Sequence, residues 1–130
     1  DASIILMGDQ PDHINMLKKH KNIHVLPTRP HIETPQCWAA LSVAVLPYKR
    51  TPWTDAIDPI KLREILAIGL PLASTAIPAA CAFGSRIEIA EFASRFPDAV
   101  RTAIARRGGL PVPEIPTWDQ QCDAIEIELQ

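Results

Sequence analysis

A chain of 130 residues, 47% hydrophobic and 22% charged, has room for one sizeable core and the composition of an ordinary globular protein. A formal net charge of -2, with 13 Lys and Arg scattered along the chain, argues against nucleic acid or a membrane surface as partner. Cys37, Cys81 and Cys122 are odd in number and far apart, so they make neither a zinc spacing nor a disulfide framework, which points to a reducing cytoplasm. No apolar run approaches the roughly 20 residues of a membrane span, and no signal peptide is visible. The chain starts without a Met and almost at once on an apolar run, which reads as a piece of a longer protein.

In chain order, Ser3 to Met7 is a short apolar run ended by Gly8-Asp9 and suits a strand buried on both faces of a parallel sheet. Asp12 to His20 reads as a short helix with a thin apolar face of Ile14 and Leu17. Asn22 to Leu26 is a second strand. Pro35 to Leu41 is a helix with Cys37, Trp38 and Leu41 facing inward, and Ser42 to Pro47 is the clearest strand of the chain. A long loop, Tyr48 to Ile57, leads into a helix from Pro59 to Ile68. Leu70 to Ser74 and Arg86 to Ala90 are further strands, and Ala90 to Ala105 is a helix interrupted or restarted near Pro97. Arg107 to Pro116 holds two Gly and three Pro and reads as an irregular connector. Thr117 to Leu129 is a last helix with Thr117 as N-cap and Trp118, Cys122, Ile125 and Leu129 on one side. Three segments follow: a domain over 1–106, the connector over 107–116, and a C-terminal helix over 117–130 that packs back on the domain.

Strands alternating with helices over this length mean βαβ units, an α/β fold and a mostly parallel sheet. Ligands bind such sheets outside the carboxyl ends of the strands. The loops after Met7, Leu26, Leu46 and Ala73, and the loop Tyr48 to Ile57, therefore lie on the functional edge.

The stretch Thr54 to Pro71 carries the most chemistry. Asp58 can cap a helix, and Pro59 fits the first helical position, where no N–H is needed. Gly69 can take the left-handed position after the helix, and Pro71 prevents continuation. Leu62, Ile65, Leu66 and Ile68 supply a broad apolar side. Lys61 and Glu64, three apart, share one face within the first two turns. A helix N-terminus with a Lys beside it suits a phosphate, and a carboxylate one turn deeper suits a pair of sugar hydroxyls. The plain alternative is a solvated i,i+3 ion pair. The four His have no metal spacing, and no Gly-rich phosphate loop or nucleophile elbow is present. Cys37 and Cys122, on apolar helix faces, read as buried thiols.

Ser42-Val43-Ala44-Val45-Leu46-Pro47-Tyr48, then Asp58-Pro59-Ile60-Lys61-Leu62-Arg63-Glu64, then Ala67-Ile68-Gly69-Leu70-Pro71, resemble the donor-binding half of GT-B glycosyltransferases. The pattern D-P-x-K-x-x-E-x-x-A-x-G-x-P is that of the bacterial family-1/family-4 group. The resemblance runs from about Ser3 to Ala105, with Trp118-Asp119 resembling the family's final helix. It implies a Rossmann-like three-layer sandwich, most of a GT-B C-terminal domain, that binds a nucleoside-diphosphate sugar as donor and needs no other cofactor or metal. By position, Glu64 would hold the ribose hydroxyls, and Lys61 with the amides of Asp58 to Ile60 would face the diphosphate. Asp55 and Thr54 would lie near the donor sugar, Gly8 in the first strand–helix turn, and Arg29 near the base-side loop. Asp55 can equally cap its loop, and Arg29 can simply be solvated. Tyr48 and Trp53 could stack on a ligand or pack on their own loop.

The chain also departs from that pattern. Many retaining members carry two Glu eight apart, and the position eight before Glu64 is Ala56. The opening strand and its basic phosphate-contacting loop should precede Ser3, and the N-terminal acceptor-binding domain should belong to the same parent chain. Through that domain the parent can sit at the inner membrane. The implied activity is sugar transfer from the nucleotide sugar to an acceptor in surface polysaccharide or glycoconjugate synthesis, with this segment alone inactive. Two rivals share the architecture: a nucleotide-sugar epimerase, and a non-catalytic interaction module. A sheet begun at its second unit leaves an apolar edge that a homodimer would cover.

Overall fold

The computed structural model describes residues 2–9, 12–106, 112 and 114–128. The chain divides into two compact units, residues 1–36 and 37–130. Both are α/β with parallel strands, as the alternating pattern predicts.

In the first unit, β1 (Ile4–Met7) pairs in parallel with β2 (Ile23–Leu26), in register from Ile4 opposite Ile23 to Met7 opposite Leu26. The pairing runs one bond further, from the Gly8 N–H to the Leu26 carbonyl at 3.2 Å. Ile4 and Ile5 are each 44% exposed, so β1 is not the doubly buried strand its composition suggests. A two-stranded sheet has few neighbours to cover its faces. The segment Asp12–Lys19 forms the expected short helix, of the 3-10 type. Ile14 is half-buried while Met16 and Leu17 are exposed, and a short helix with so thin an apolar face gains little from packing.

The second unit is built on three parallel strands in the order β3-β4-β5: β3 (Ala44–Leu46), β4 (Leu72–Thr75) and β5 (Glu88–Ala90). Their ends lie within two residues of the sequence-predicted bounds. Leu72, Ala73 and Ser74 of the central strand are all buried, which is the signature of a parallel strand covered on both faces. One face carries Ala44, Leu46 and Leu72 against Leu62, Ile65 and Leu66 of α3 (Ile60–Ala67). Ala80 of the four-residue α4 (Pro78–Cys81) belongs to the same cluster. The opposite face carries Ala73 and Ala90 against Ala99 and Ala103 of α5 (Phe96–Ala105). Alanine on both sides of that contact lets the helix approach closely. A sheet with helices on both faces is the Rossmann-like arrangement.

Several local expectations are corrected. The helix beginning near Pro35 is α1 (Thr34–Ala39), preceded by a 3-10 turn at His31–Glu33. The loop Tyr48 to Ile57 contains a helix, α2 (Pro52–Ala56). Thr51 caps it, accepting from the Thr54 N–H at 3.1 Å while its own N–H donates to Thr54 Oγ1 at 2.8 Å. Thr51-Pro52 is an N-cap followed by Pro at the first helical position, a signal present in the sequence. The helical segment starts after β5 as a 3-10 turn at Ala93–Arg95 and restarts near Pro97, as expected: Pro97 lies in the first turn of α5, where a missing N–H costs nothing. In α6 (Trp118–Glu128), Thr117 caps as expected, in a reciprocal pair with Gln120. Every described residue of α6 is exposed, Cys122 included, so that thiol is not buried. Leu129 and most of the connector at 107–116 lie outside the described residues. No helix among the described residues is long and apolar enough to cross a membrane.

Candidate functional site

Because β3 and β4 are parallel, α3 must return the chain from the carboxyl end of one strand to the amino end of the next. Its N-terminus therefore faces the carboxyl edge of the sheet, where α/β folds bind ligands. The N-cap is Pro59, with no side-chain hydrogen bond to the orphan amides, and the first turn contains no acidic residue. Lys61, in that first turn, is exposed. An uncapped N-terminus with a cation on it carries unneutralised positive potential.

Asp58 does not cap this helix. It reaches Arg63 instead, accepting from Nη2 at 2.5 Å and Nε at 3.2 Å. The Arg63 guanidinium also lies 5.9 Å from the Phe83 ring centroid. A bidentate-capable guanidinium is a stronger partner for a carboxylate than a neutral amide, and Pro59 takes the cap position itself.

The C-terminus of α3 ends as the sequence requires. Gly69 has φ +70, its N–H donates to the Leu66 carbonyl at 3.0 Å, and the Leu70 N–H donates to Ile65 at 3.2 Å. Both bonds of a Schellman motif are present. Ile68, at the C-cap, is exposed rather than part of the apolar side.

Glu64 is half-buried one turn into α3. The Trp38 indole N–H donates to its Oε2 at 3.5 Å. Trp38 itself packs against the core cluster around Leu62 and Ile65. Two clefts of about 450 and 440 Å³ open elsewhere, one at Glu114, Gln120 and Gln121 and one at Glu88, Phe92 and Arg95.

Asp55 and Thr54 sit on α2. Thr54 is 7% exposed, and its hydroxyl donates to the Lys49 carbonyl at 2.8 Å, so it serves the turn. Asp55 accepts from Arg50 through both oxygens, Nε to Oδ1 at 2.5 Å and Nη2 to Oδ2 at 2.9 Å. These bonds hold the Asp55 carboxyl below the usual carboxylate range and raise the guanidinium. Tyr48 packs against the core, whereas Trp53 is 71% exposed on α2.

Gly8 and Arg29 belong to the first unit. Gly8 follows β1 directly, with φ +145 and open space where a Cβ would stand. Arg29 lies 3.9 Å from Glu33 in an exposed i,i+4 pair. The partners of Arg50, Arg63 and Trp38 escaped the sequence reading. Trp38 meets Glu64 across 26 residues, and neither Arg shares a helical spacing with its acid.

No family model matches the chain. Over 46 residues, 35% of the chain, it is 37% identical to TuaH of Bacillus subtilis (strain 168), a protein provisionally named a teichuronic acid biosynthesis glycosyltransferase. The match spans 12% of that protein's length. The likeness supports a glycosyltransferase as the class of protein.

Proposed function

We propose that this chain is the donor-binding part of a glycosyltransferase that moves a sugar from a nucleoside-diphosphate sugar to an acceptor in surface polysaccharide or glycoconjugate synthesis. The observation that carries the reading is the N-terminus of α3. It lacks a side-chain cap, presents Lys61 at the carboxyl side of a parallel sheet and holds Glu64 one turn deeper. That is the charge pattern a nucleoside diphosphate needs: cation and amide dipoles for the phosphates, a carboxylate for the ribose diol. The partial likeness to a protein named for teichuronic acid biosynthesis supports a glycosyltransferase reading of this pattern.

In this reading Lys61 and the α3 amides stabilise the departing diphosphate, and their fixed orientation costs no reorganisation as charge develops. Acceptor binding belongs to another domain of the parent chain. The test is calorimetric titration of uridine and guanosine diphosphates into the full-length protein and its Glu64→Gln variant. A carboxylate accepting from two hydroxyls is worth roughly 1.5–3 kcal/mol, so the variant should bind about ten- to a hundredfold more weakly. Equal affinity in both would remove Glu64 from the site.

A further inference from the structure

We propose that Asp58 has two positions, one on Arg63 and one as the cap of α3, and that Arg63 is the positioning residue that keeps it off the helix end. The geometry stands by itself; its consequence for ligand binding rests on the nucleotide-sugar reading. By local rules Asp58-Pro59 starts a helix, with Asp58 as N-cap and Pro59 at the first helical position. The structure departs from this at one dihedral. Pro59 has φ -69, already helical, and only its ψ of 120 holds it outside α3. Turning that ψ would lengthen the helix by one residue and bring the Asp58 carboxylate to the amide of Ile60 or Lys61. The residue before a proline favours extended backbone, which is also the backbone of an N-cap. Arg63 decides between the two. Its Nη2 and Nε both donate to Asp58 Oδ2, at 2.5 and 3.2 Å, and its guanidinium lies 5.9 Å from the Phe83 ring centroid. Phe83 packs against the core cluster that seats α3, so the guanidinium on it draws the carboxylate away from the helix end.

Both side chains of the pair are open to solvent. An exposed ion pair and a helix cap contribute on comparable, modest scales, so a single substitution is enough to move Asp58. With Asp58 on Arg63, the first amides of α3 have no side-chain acceptor at the cap and the positive end of the helix dipole is unopposed. With Asp58 on the cap, an amide is filled and a full negative charge stands where a diphosphate would bind. A ligand anion and Asp58 thus compete for one helix end, and Arg63 sets the balance.

The test uses the full-length protein with Arg63→Met, which keeps an apolar stem beside Phe83 and loses the guanidinium. Asp58→Ala, which can neither pair nor cap, and the double variant complete the cycle. Without ligand, the backbone ¹⁵N–¹H resonance of Ile60 or Lys61 should move downfield and exchange more slowly in Arg63→Met, and return in the double variant. Uridine diphosphate and uridine, and the guanosine pair, are then titrated calorimetrically. Arg63→Met should weaken the diphosphate about tenfold, the loss expected when about nine molecules in ten have the helix end closed. It should weaken the nucleoside by no more than about twofold, and it should have no effect in the Asp58→Ala background. Unmoved amides in Arg63→Met would overturn the proposal. So would a diphosphate loss that persists without Asp58, as when Arg63 itself meets the phosphates. Equal weakening of nucleoside and diphosphate, as from loosened packing at Phe83, would also overturn it. No binding of either diphosphate by wild type would overturn the nucleotide-sugar reading instead, and the amide shifts would still decide between the two positions of Asp58.

Discussion

Arg50 holds Asp55 in a two-pronged grip, Nε to Oδ1 and Nη2 to Oδ2, while its remaining nitrogen donates to the carbonyl of Ala76. The Ala76 N–H in turn donates to the Ala90 carbonyl at 3.2 Å. Arg50 follows β3, Ala76 follows β4, and Ala90 ends β5. One guanidinium thus links the segments at the carboxyl ends of all three strands, the edge on which α3 begins. A lysine in its place would offer one point charge and could not span three acceptors.

The pair is open to solvent, so its effect on stability is modest and depends on pH. Asp55 titrates below its ordinary value of 3.8 in the folded protein. Its stabilisation is therefore complete above that value and disappears as pH falls through the lowered one. Asp55→Asn should lower the thermal midpoint by about one to three degrees at pH 7, and the difference from wild type should shrink as pH falls below 3.8 and close once the lowered value is passed. Scanning calorimetry at pH 7, 4 and 2 checks this. A difference that persists at the lowest pH would mean the carboxylate charge is not what holds Arg50.

Gly69 tests the end of α3. With φ +70 it occupies the left-handed region, and an L side chain there costs roughly 1–2 kcal/mol. Gly69→Ala should lose that amount in urea unfolding, and Gly69→Asn about half of it, since Asn tolerates this conformation better. Equal losses in the two variants would point to crowding at the site instead.

Ile65 tests the core beneath the candidate site. It is fully buried on the side of α3 that clusters with Ala44 and Leu46 of β3 and Leu72 of β4. Ile65→Ala should destabilise by about 2–5 kcal/mol, the removed transfer free energy plus the cavity left behind. Chemical denaturation monitored by circular dichroism measures it. A loss under about 1 kcal/mol would mean that this face of the sheet repacks freely.

Where the sequence was legible, periodicity and chain stops spoke together. The apolar positions Leu62, Ile65 and Leu66, closed by Gly69 and Pro71, place α3 almost to the residue. The alternation of strands and helices likewise gives parallel pairing. The beginning of α3 was misread because Asp58 suits two partners, a helix amide or a guanidinium five residues on. Only the fold puts Arg63 close enough to decide. α2 and α4, of five and four residues, are too short for a period to register. The Trp38–Glu64 and Arg50–Ala76 contacts join residues 26 apart, which no local spacing encodes.

Lys61 carries the phosphate half of the proposed function. It stands in the first turn of α3, where a cation works against the helix dipole and slightly destabilises the helix. A side chain placed there at some expense to the helix makes sense when an anion arrives to meet it. Lys61→Ala should therefore leave thermal stability unchanged or slightly raised. It should weaken a nucleoside diphosphate by about ten- to a hundredfold, as for a charge-assisted bond, and the bare nucleoside by no more than about twofold. The diphosphate advantage of wild type should also shrink as salt rises, because the exposed ammonium is screened within about 8 Å at physiological ionic strength. Calorimetric titration of uridine and uridine diphosphate, and of the guanosine pair, at two salt concentrations reads all of this. Equal loss of nucleoside and diphosphate would place Lys61 away from the phosphates and leave the uncapped N-terminus of α3 without a ligand.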